Sequence, residues 1–267
     1  MSKPVSGTSE WAASGHNIQT GCGHGCLYCY AHAMASRFDR VPEGGWTCEV
    51  LNPVGMAKVF GQRKGTIMFP TAHDITPANL TESTEVLERM LKPGNHVLIV
   101  SKPHLACISH LCRELAPYKD QILFRFTIGS ALDGTLGFWE PGAPTFRERM
   151  LSLVYAHAQG FKTSVSMEPM LDTEEMLIRA CVQQVEPFVT DSIWLGKVNK
   201  LETRLRANGH WEIPGVADMA RALVASQSDE RIHSLYAALK DNPKVKWKES
   251  IKVVVGLEVP TEAGLDV

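Results

Sequence analysis

The chain has 267 residues, a formal net charge of −2, and 44% apolar against 21% charged residues. That is ordinary globular composition, so it excludes intrinsic disorder and a protein that is basic overall, though not a local basic groove. A chain of this length buries roughly 70–75% of its unfolded surface and needs no disulfide staple, so its seven cysteines read as thiols or metal ligands in a reducing compartment.

Short apolar runs bounded by Gly, Pro and Asn read as buried strands, and spaced apolar faces read as helices. The first strand is expected over 16–20, running directly into a cysteine-rich loop. A second is expected over 66–69. A helix over 82–91 follows, with Val86, Leu87, Met90 and Leu91 on one face. The turn pair Pro93-Gly94 introduces a third strand at 96–101, and a helix over 105–115 comes next. The fourth strand is expected over 122–128. A helix over 145–159 follows Pro144 and ends at Gly160, a C-terminal cap. The fifth strand is 162–167, and the helix over 174–185 is capped by Asp172 or Thr173. The sixth strand is 192–196. Residues 207–250 read as helical and charged, with a helix at 231–239, and 251–256 reads as a strand or a helix end.

Alternation of strands and helices with short links predicts an α/β fold with a parallel sheet and right-handed crossovers. Six units give an open partial barrel or a doubly wound sheet, with chemistry in the loops after the strands. A core over 1–206 and a helical C-terminal extension over 207–267, packed on it in one domain, is the simplest division. The first twenty residues lack a secretory pattern and no run reaches ~18 uninterrupted apolar residues, so a cytoplasmic protein without membrane contact is expected.

The segment Gly21-Cys22-Gly23-His24-Gly25-Cys26-Leu27-Tyr28-Cys29-Tyr30 carries the chemistry. Three cysteines, separated by three and then two residues, sit in a loop whose glycines let backbone curl around a bulky ligand. Soft thiolates select iron–sulfur clusters or zinc. None of Cys48, Cys107, Cys112 and Cys181 has a spacing that supplies a fourth ligand, so one iron of a 4Fe–4S cluster would stay open. A zinc loop or three incidental thiols are the alternatives.

These residues resemble the signature of the radical S-adenosylmethionine enzymes, in which an aromatic residue, here Tyr28, precedes the third cysteine. The resemblance implies that Cys22, Cys26 and Cys29 hold three irons of a 4Fe–4S cluster. S-adenosylmethionine would chelate the fourth, and its reductive cleavage would yield a 5′-deoxyadenosyl radical. Residues 137–144 with Arg147 and Arg149, the triplet Val100-Ser101-Lys102, and residues 71–77 are similar to the spore-photoproduct-lyase-like branch. Lys246-Trp247-Lys248-Glu249-Ser250-Ile251 is similar to endings of related bacterial and phage proteins. The implied fold is a partial (β/α)6 barrel.

The resemblance also implies roles around the cofactor. Lys102, with Ser101 beside it, would contact the methionine carboxylate. His73 and Asp74 would meet its amino group or the substrate. Ser130 or Thr127 would reach the ribose, and Glu168 the ribose or a substrate amine. Arg125, unusual in a buried parallel strand, would point into the barrel at cofactor or substrate, or mark an open edge. Lys197 and Asn199 would contact adenine or substrate, and Glu140 would fix its loop. Cys107, Cys112 and Cys181 lie in helical patterns and are not expected to donate hydrogen to a substrate radical.

The branch points to a modified pyrimidine in DNA and to an isomerase or lyase, with isomerisation of an amino-acid-bearing thymidine in a phage hypermodification pathway as one such reaction. A small molecule, peptide or RNA base is the alternative substrate, and a non-catalytic iron–sulfur module the alternative function. Lys197, Lys200, Arg204 and Arg206, and the lysines at 240, 244, 246, 248 and 252, could contact phosphates. Trp194, Trp211 and Trp247 could stack on a flipped base. An electron donor such as flavodoxin or ferredoxin is an expected partner, and the host cytoplasm the setting if the chain is phage-encoded.

Overall fold

Strands buried on both faces carry near-continuous apolar runs, and this chain shows them in series. The structure, a computed structural model, describes residues 5–264. Strands β1 (Ser14–Gly15), β2 (Gln19–Thr20), β3 (Val50–Leu51), β4 (Ile67–Phe69), β5 (Val97–Ser101), β6 (Ile122–Thr127), β7 (Lys162–Met167), β8 (Ile193–Leu195) and β9 (Val245–Trp247) form two sheets. One is a parallel sheet of seven strands in the order β1-β4-β5-β6-β7-β8-β9, and the other is an antiparallel ribbon of β2 and β3.

The sheet curls. Met68 on β4 and Trp194 on β8, with three strands between them, belong to one interior cluster with Leu98, Trp11 and Ala12. Period-2 alternation sends Ile67, Phe69, Val97, Ile99, Phe124 and Phe126 to the other face. There they pack under helices α3 (Leu80–Leu91), α4 (Leu105–Glu114), α6 (Phe146–Ala158) and α7 (Glu175–Val185). The remaining helices are α1 (Tyr30–Arg37), α2 (Pro53–Met56), α5 (Asp133–Trp139), α8 (Leu201–Ala207), α9 (Val216–Ser226), α10 (Asp229–Leu239) and α11 (Glu249–Val255). β1 and β9 do not pair with each other, so the curled sheet is an open, partial barrel.

Three expectations change. The barrel's first strand is Ser14–Gly15, whereas Gln19–Thr20 pairs with Val50–Leu51 in the separate ribbon. A seventh strand, Val245–Trp247, pairs with β8 inside a stretch that reads as helical, because its alternation buries Val245 and Trp247 on the outer core. Residues 249–255 are helical. The cap of α7 also differs: Asp172 accepts a hydrogen bond from Ser130 Oγ at 2.7 Å, and no side chain caps the helix. Thr145 does cap α6, accepting from the Glu148 N–H at 3.3 Å, and Gly160 takes φ +79° just beyond it. No helix of the described residues is long and apolar enough to cross a membrane.

The N-terminal segment runs across the barrel mouth. Glu10 and Lys248 are both 1% exposed, and their side chains meet at 2.9 Å. The same ammonium donates to Gly7 O at 2.8 Å, lies 3.3 Å from Glu168 and sits 3.8 Å from the Trp11 ring centroid. Gly196 leaves room for this, since a Cβ there would lie 2.9 Å from Glu168 Cγ and 3.0 Å from Lys248 Cγ.

Candidate active site

The cysteine loop is built from close turns. Gly21 holds φ +87°, and a Cβ there would fall 2.0 Å from the Cys48 carbonyl oxygen, so only glycine fits. The Cys22 N–H donates to Trp46 O, Gly25 N–H to Cys22 O, Leu27 N–H to Trp139 O and Cys29 N–H to Cys26 O. Helix α1 starts directly afterwards, with Cys29 Sγ accepting from the His32 N–H at 3.4 Å. These turns bring Cys22, Cys26 and Cys29 onto the wall of one cavity of about 390 Å³. Burial pushes the Cys22 thiol up to about 12 and raises Cys26 and Cys29 as well; the Lys102 ammonium opposes all three shifts.

A charged network faces the loop. Lys102, at the end of β5, lies 3.6 Å from Asp74 and 4.0 Å from Glu140, with the Tyr28 ring 5.9 Å away. Asp74 Oδ1 accepts from the Lys102 backbone N–H at 2.8 Å, and its Oδ2 lies 2.8 Å from His24 Nδ1. Burial opposes the Asp74 charge, but Lys102 and His24 outweigh it and hold this carboxyl well below the usual range. Burial likewise opposes the Lys102 charge, and Asp74 and the other acids around it keep it protonated. Glu140 pairs with Arg149 at 2.5 Å and accepts from the Tyr28 hydroxyl. Burial raises its pKa, and Arg149 and Lys102 bring it below the ordinary value. Charged groups this deep persist because each has a partner.

The structure sorts the expected residues. Tyr28, His73, Asp74, Lys102, Thr127, Glu168, Lys197 and Asn199 line the same cavity as the three cysteines. His73 accepts from the Ile18 N–H at 3.3 Å, and its Nδ1 lies 3.1 Å from Asp74 O, so both ring nitrogens hold the loop. Ser101, Ser130 and Arg125 do not line it. Ser101 Oγ accepts from the Ile75 N–H at 3.0 Å and pins the loop after β4. Ser130 is fully enclosed, accepting from the Leu132 N–H and donating to Asp172.

Arg125 does point into the barrel, but it is sealed below the cavity. Its guanidinium carbon lies 4.5 Å from the Trp11 ring centroid and 5.4 Å from that of Trp194, and Nε donates to Ser164 Oγ at 2.9 Å. Burial lowers its pKa to about 9. It is neither an edge residue nor a cavity residue.

Trp194, Trp211 and Trp247 are all at most 9% exposed, so none presents a face for stacking. Several of the C-terminal lysines are engaged within the fold. Lys248 is enclosed, Lys244 donates to Glu186 O and Val189 O, Lys240 meets Asp241, and Lys246 lies 5.5 Å from the Trp194 ring centroid. Cys107, Cys112 and Cys181 are buried in α4 and α7, away from the cavity.

Tyr30, which closes the cysteine segment, and Arg204, read as a phosphate contact, both line the cavity, whereas Trp11 and Trp46, which line it too, had no sequence signal. His24 did have one, lying between two ligand-type cysteines. Its Nε2 is 2.9 Å from His104 Nε2, and an oxygen of Asp74 and the sulfur of Cys22 lie within 4.8 Å of one of its ring nitrogens and of each other.

No protein-family model matches the sequence. The fold is that of the radical S-adenosylmethionine enzymes. Spore photoproduct lyase complexed with dinucleoside spore photoproduct superposes with a TM-score of 0.58 at 14% identity, over 92% of this chain and 78% of that one. SuiB of Streptococcus suis, bound to S-adenosylmethionine, superposes with a TM-score of 0.54 at 10% identity, over 94% of this chain and 54% of its own. An uncharacterized protein of Acidianus two-tailed virus, ORF301, is 27% identical over 165 residues, 57% of this chain and 54% of the viral protein. The chain thus matches about half the length of that curated relative.

Proposed function

We propose that this chain is a radical S-adenosylmethionine enzyme. The observation that carries the reading is that Cys22, Cys26 and Cys29 open together onto a cavity whose facing wall holds the Lys102–Asp74 ion pair. Three buried soft thiols in a glycine-rich loop suit a 4Fe–4S cluster with one iron left for a second ligand. When bound, cluster and S-adenosylmethionine together supply reductive C–S cleavage and a 5′-deoxyadenosyl radical.

The chain's own residues bind and orient. Lys102 offers an ammonium for a carboxylate, and Asp74 offers an acceptor for an amino group. Glu140 and Arg149 fix Tyr28 and the Lys102 end of the network. Glu168, anchored by Lys248, presents a carboxylate to hydroxyl or amine donors. Trp11, with Ser6, Gly7 and Thr8 of the segment before it, lines the cavity.

For the substrate we propose a modified pyrimidine in DNA, with an isomerase or lyase outcome. The likeness to a lyase solved with a dinucleoside and the viral relative support this. The absence of a cysteine other than Cys22, Cys26 and Cys29 from the residues lining the cavity favours radical migration over quenching by a thiol. An electron donor of the flavodoxin or ferredoxin type would supply reduction. The test is anaerobic reconstitution, then incubation with deuterated substrate DNA. Deuterium in 5′-deoxyadenosine supports the reading, and S-adenosylmethionine cleavage with no transfer from any DNA sinks the substrate assignment.

A further inference from the structure

Helix α1 begins at the cavity wall and runs away from it. Its inner face is small and buried, at Ala31 and Ala35. Its outer face carries Tyr30, Met34 and Phe38 at i, i+4 and i+8, exposed by 42%, 48% and 50%. This spacing lines them on one stripe. Tyr30 lines the cavity itself, so the stripe is continuous with the site and extends about 12 Å from it at 1.5 Å per residue.

The stripe is cationic as well as apolar. The guanidinium carbons of Arg37 and Arg40 lie 5.5 and 5.3 Å from the Phe38 ring centroid, and that of Arg204, on the packed helix α8, lies 6.0 Å from that of Tyr30. Among the described residues no carboxylate comes within 4.0 Å of these three groups, whereas Arg206, Arg221 and Arg113 elsewhere on the surface all have one. Arg37, Arg40 and Arg204, which make no ion pair among the described residues, thus stand beside the exposed rings of the stripe that leaves the cavity, with the Glu168 carboxylate acting at longer range on Arg204. Held over a ring, Arg37 and Arg40 lose less freedom when they meet an anion.

We infer that this face of α1 seats a nucleic-acid strand, with phosphates on Arg37, Arg40 and Arg204 and bases against Phe38, Met34 and Tyr30. Cations for the backbone and rings for the bases are the combination by which single strands are held. Continuity with the cavity favours an extended substrate over a redox protein, since a protein docked on this stripe would cover the mouth. The inference rests on the nucleic-acid reading of the cavity and places the strand that flanks the reacting base.

The test is fluorescence anisotropy with labelled oligothymidylate over a salt series, on the wild type, Arg37→Gln/Arg40→Gln and Phe38→Ala, with near-UV circular dichroism as the check on folding. All the substituted side chains are exposed. Loss of two phosphate contacts should flatten the slope of log K against log salt by about 1.4 for a single strand. Phe38→Ala should weaken binding by about tenfold. Wild-type binding whose salt slope and affinity are the same in all variants overturns the inference. So does an acidic flavodoxin whose binding, unlike that of the oligonucleotide, is lost in the double variant. A wild type that assembles a cluster and cleaves S-adenosylmethionine, yet shows no salt-dependent binding, overturns this inference and leaves the radical-enzyme reading intact. Binding as predicted in a protein that never assembles a cluster does the reverse.

Discussion

Replacing Lys248 by methionine tests how the barrel mouth is closed. The ammonium lies 2.9 Å from Glu10, 3.3 Å from Glu168 and 2.8 Å from Gly7 O, so one side chain joins the N-terminal segment, β7 and the end of β9. Its loss leaves Glu10, 1% exposed, with one strong donor among the described residues, the Glu249 N–H at 2.8 Å. Burial already pushes this carboxyl above its ordinary 4.5. Without Lys248 it takes up a proton in the folded state. Protonating a group of ordinary pKa 4.5 at pH 7 costs about 1.36 × 2.5, or ~3.4 kcal/mol, consistent with the 3–5 kcal/mol typical of removing one partner of a buried pair. For a chain of this size that lowers Tm by about 7–14 °C.

The sign with pH follows from the same proton. In Lys248→Met, folded Glu10 keeps its proton while the unfolded chain loses it above pH 4.5, so the deficit grows as pH rises. It should shrink by about 2.7 kcal/mol between pH 7 and pH 5. Urea unfolding of wild type and variant at both pH values measures this. A deficit below about 1 kcal/mol at pH 7, or one that does not change with pH, refutes the reasoning.

Lys102→Met should weaken S-adenosylmethionine binding by tenfold or more, measured by equilibrium dialysis on the reconstituted protein, because a charge-assisted contact of about 1.5–3 kcal/mol is removed. Unchanged affinity would take Lys102 out of the site. Arg125→Met should leave S-adenosylmethionine cleavage within about twofold of wild type, since an apolar side chain between Trp11 and Trp194 replaces a charge that does not itself line the cavity. A tenfold loss would place Arg125 in the machinery. His16, buried with its Nε2 3.0 Å from Gly55 O, has a pKa lowered from 6.5 by burial. Its contribution is present above pH 6.5 and is lost as pH falls below it, so His16→Gln should flatten the acid side of the stability profile. An unchanged profile would contradict that assignment.

The parallel core was legible because β4 to β6 are largely apolar runs, β7 is a short β-branched and serine stretch bounded by Gly160 and Pro169, and helices with apolar faces separate them. β1 was not, since two residues, Ser14 and Gly15, carry no pattern. β9 was hidden because Lys246 and Lys248 flank Trp247 and look like a solvated helix. Within the site, the three cysteines were legible because one loop holds them all. Contacts such as Glu10–Lys248 and His24–His104 join residues that no spacing links. Arg125 was misjudged for a related reason: a charge in a barrel strand signals an interior position, but not whether tryptophans close over it.

Iron content and 5′-deoxyadenosine formation by the anaerobically reconstituted, reduced protein test the central claim most directly. The wild type should bind about four irons per chain, absorb near ~400 nm as thiolate-ligated clusters do, and release 5′-deoxyadenosine from S-adenosylmethionine, while Cys26→Ala loses the absorbance and the product together. A wild type that holds no cluster, or a Cys26→Ala variant with unchanged iron, would contradict the account.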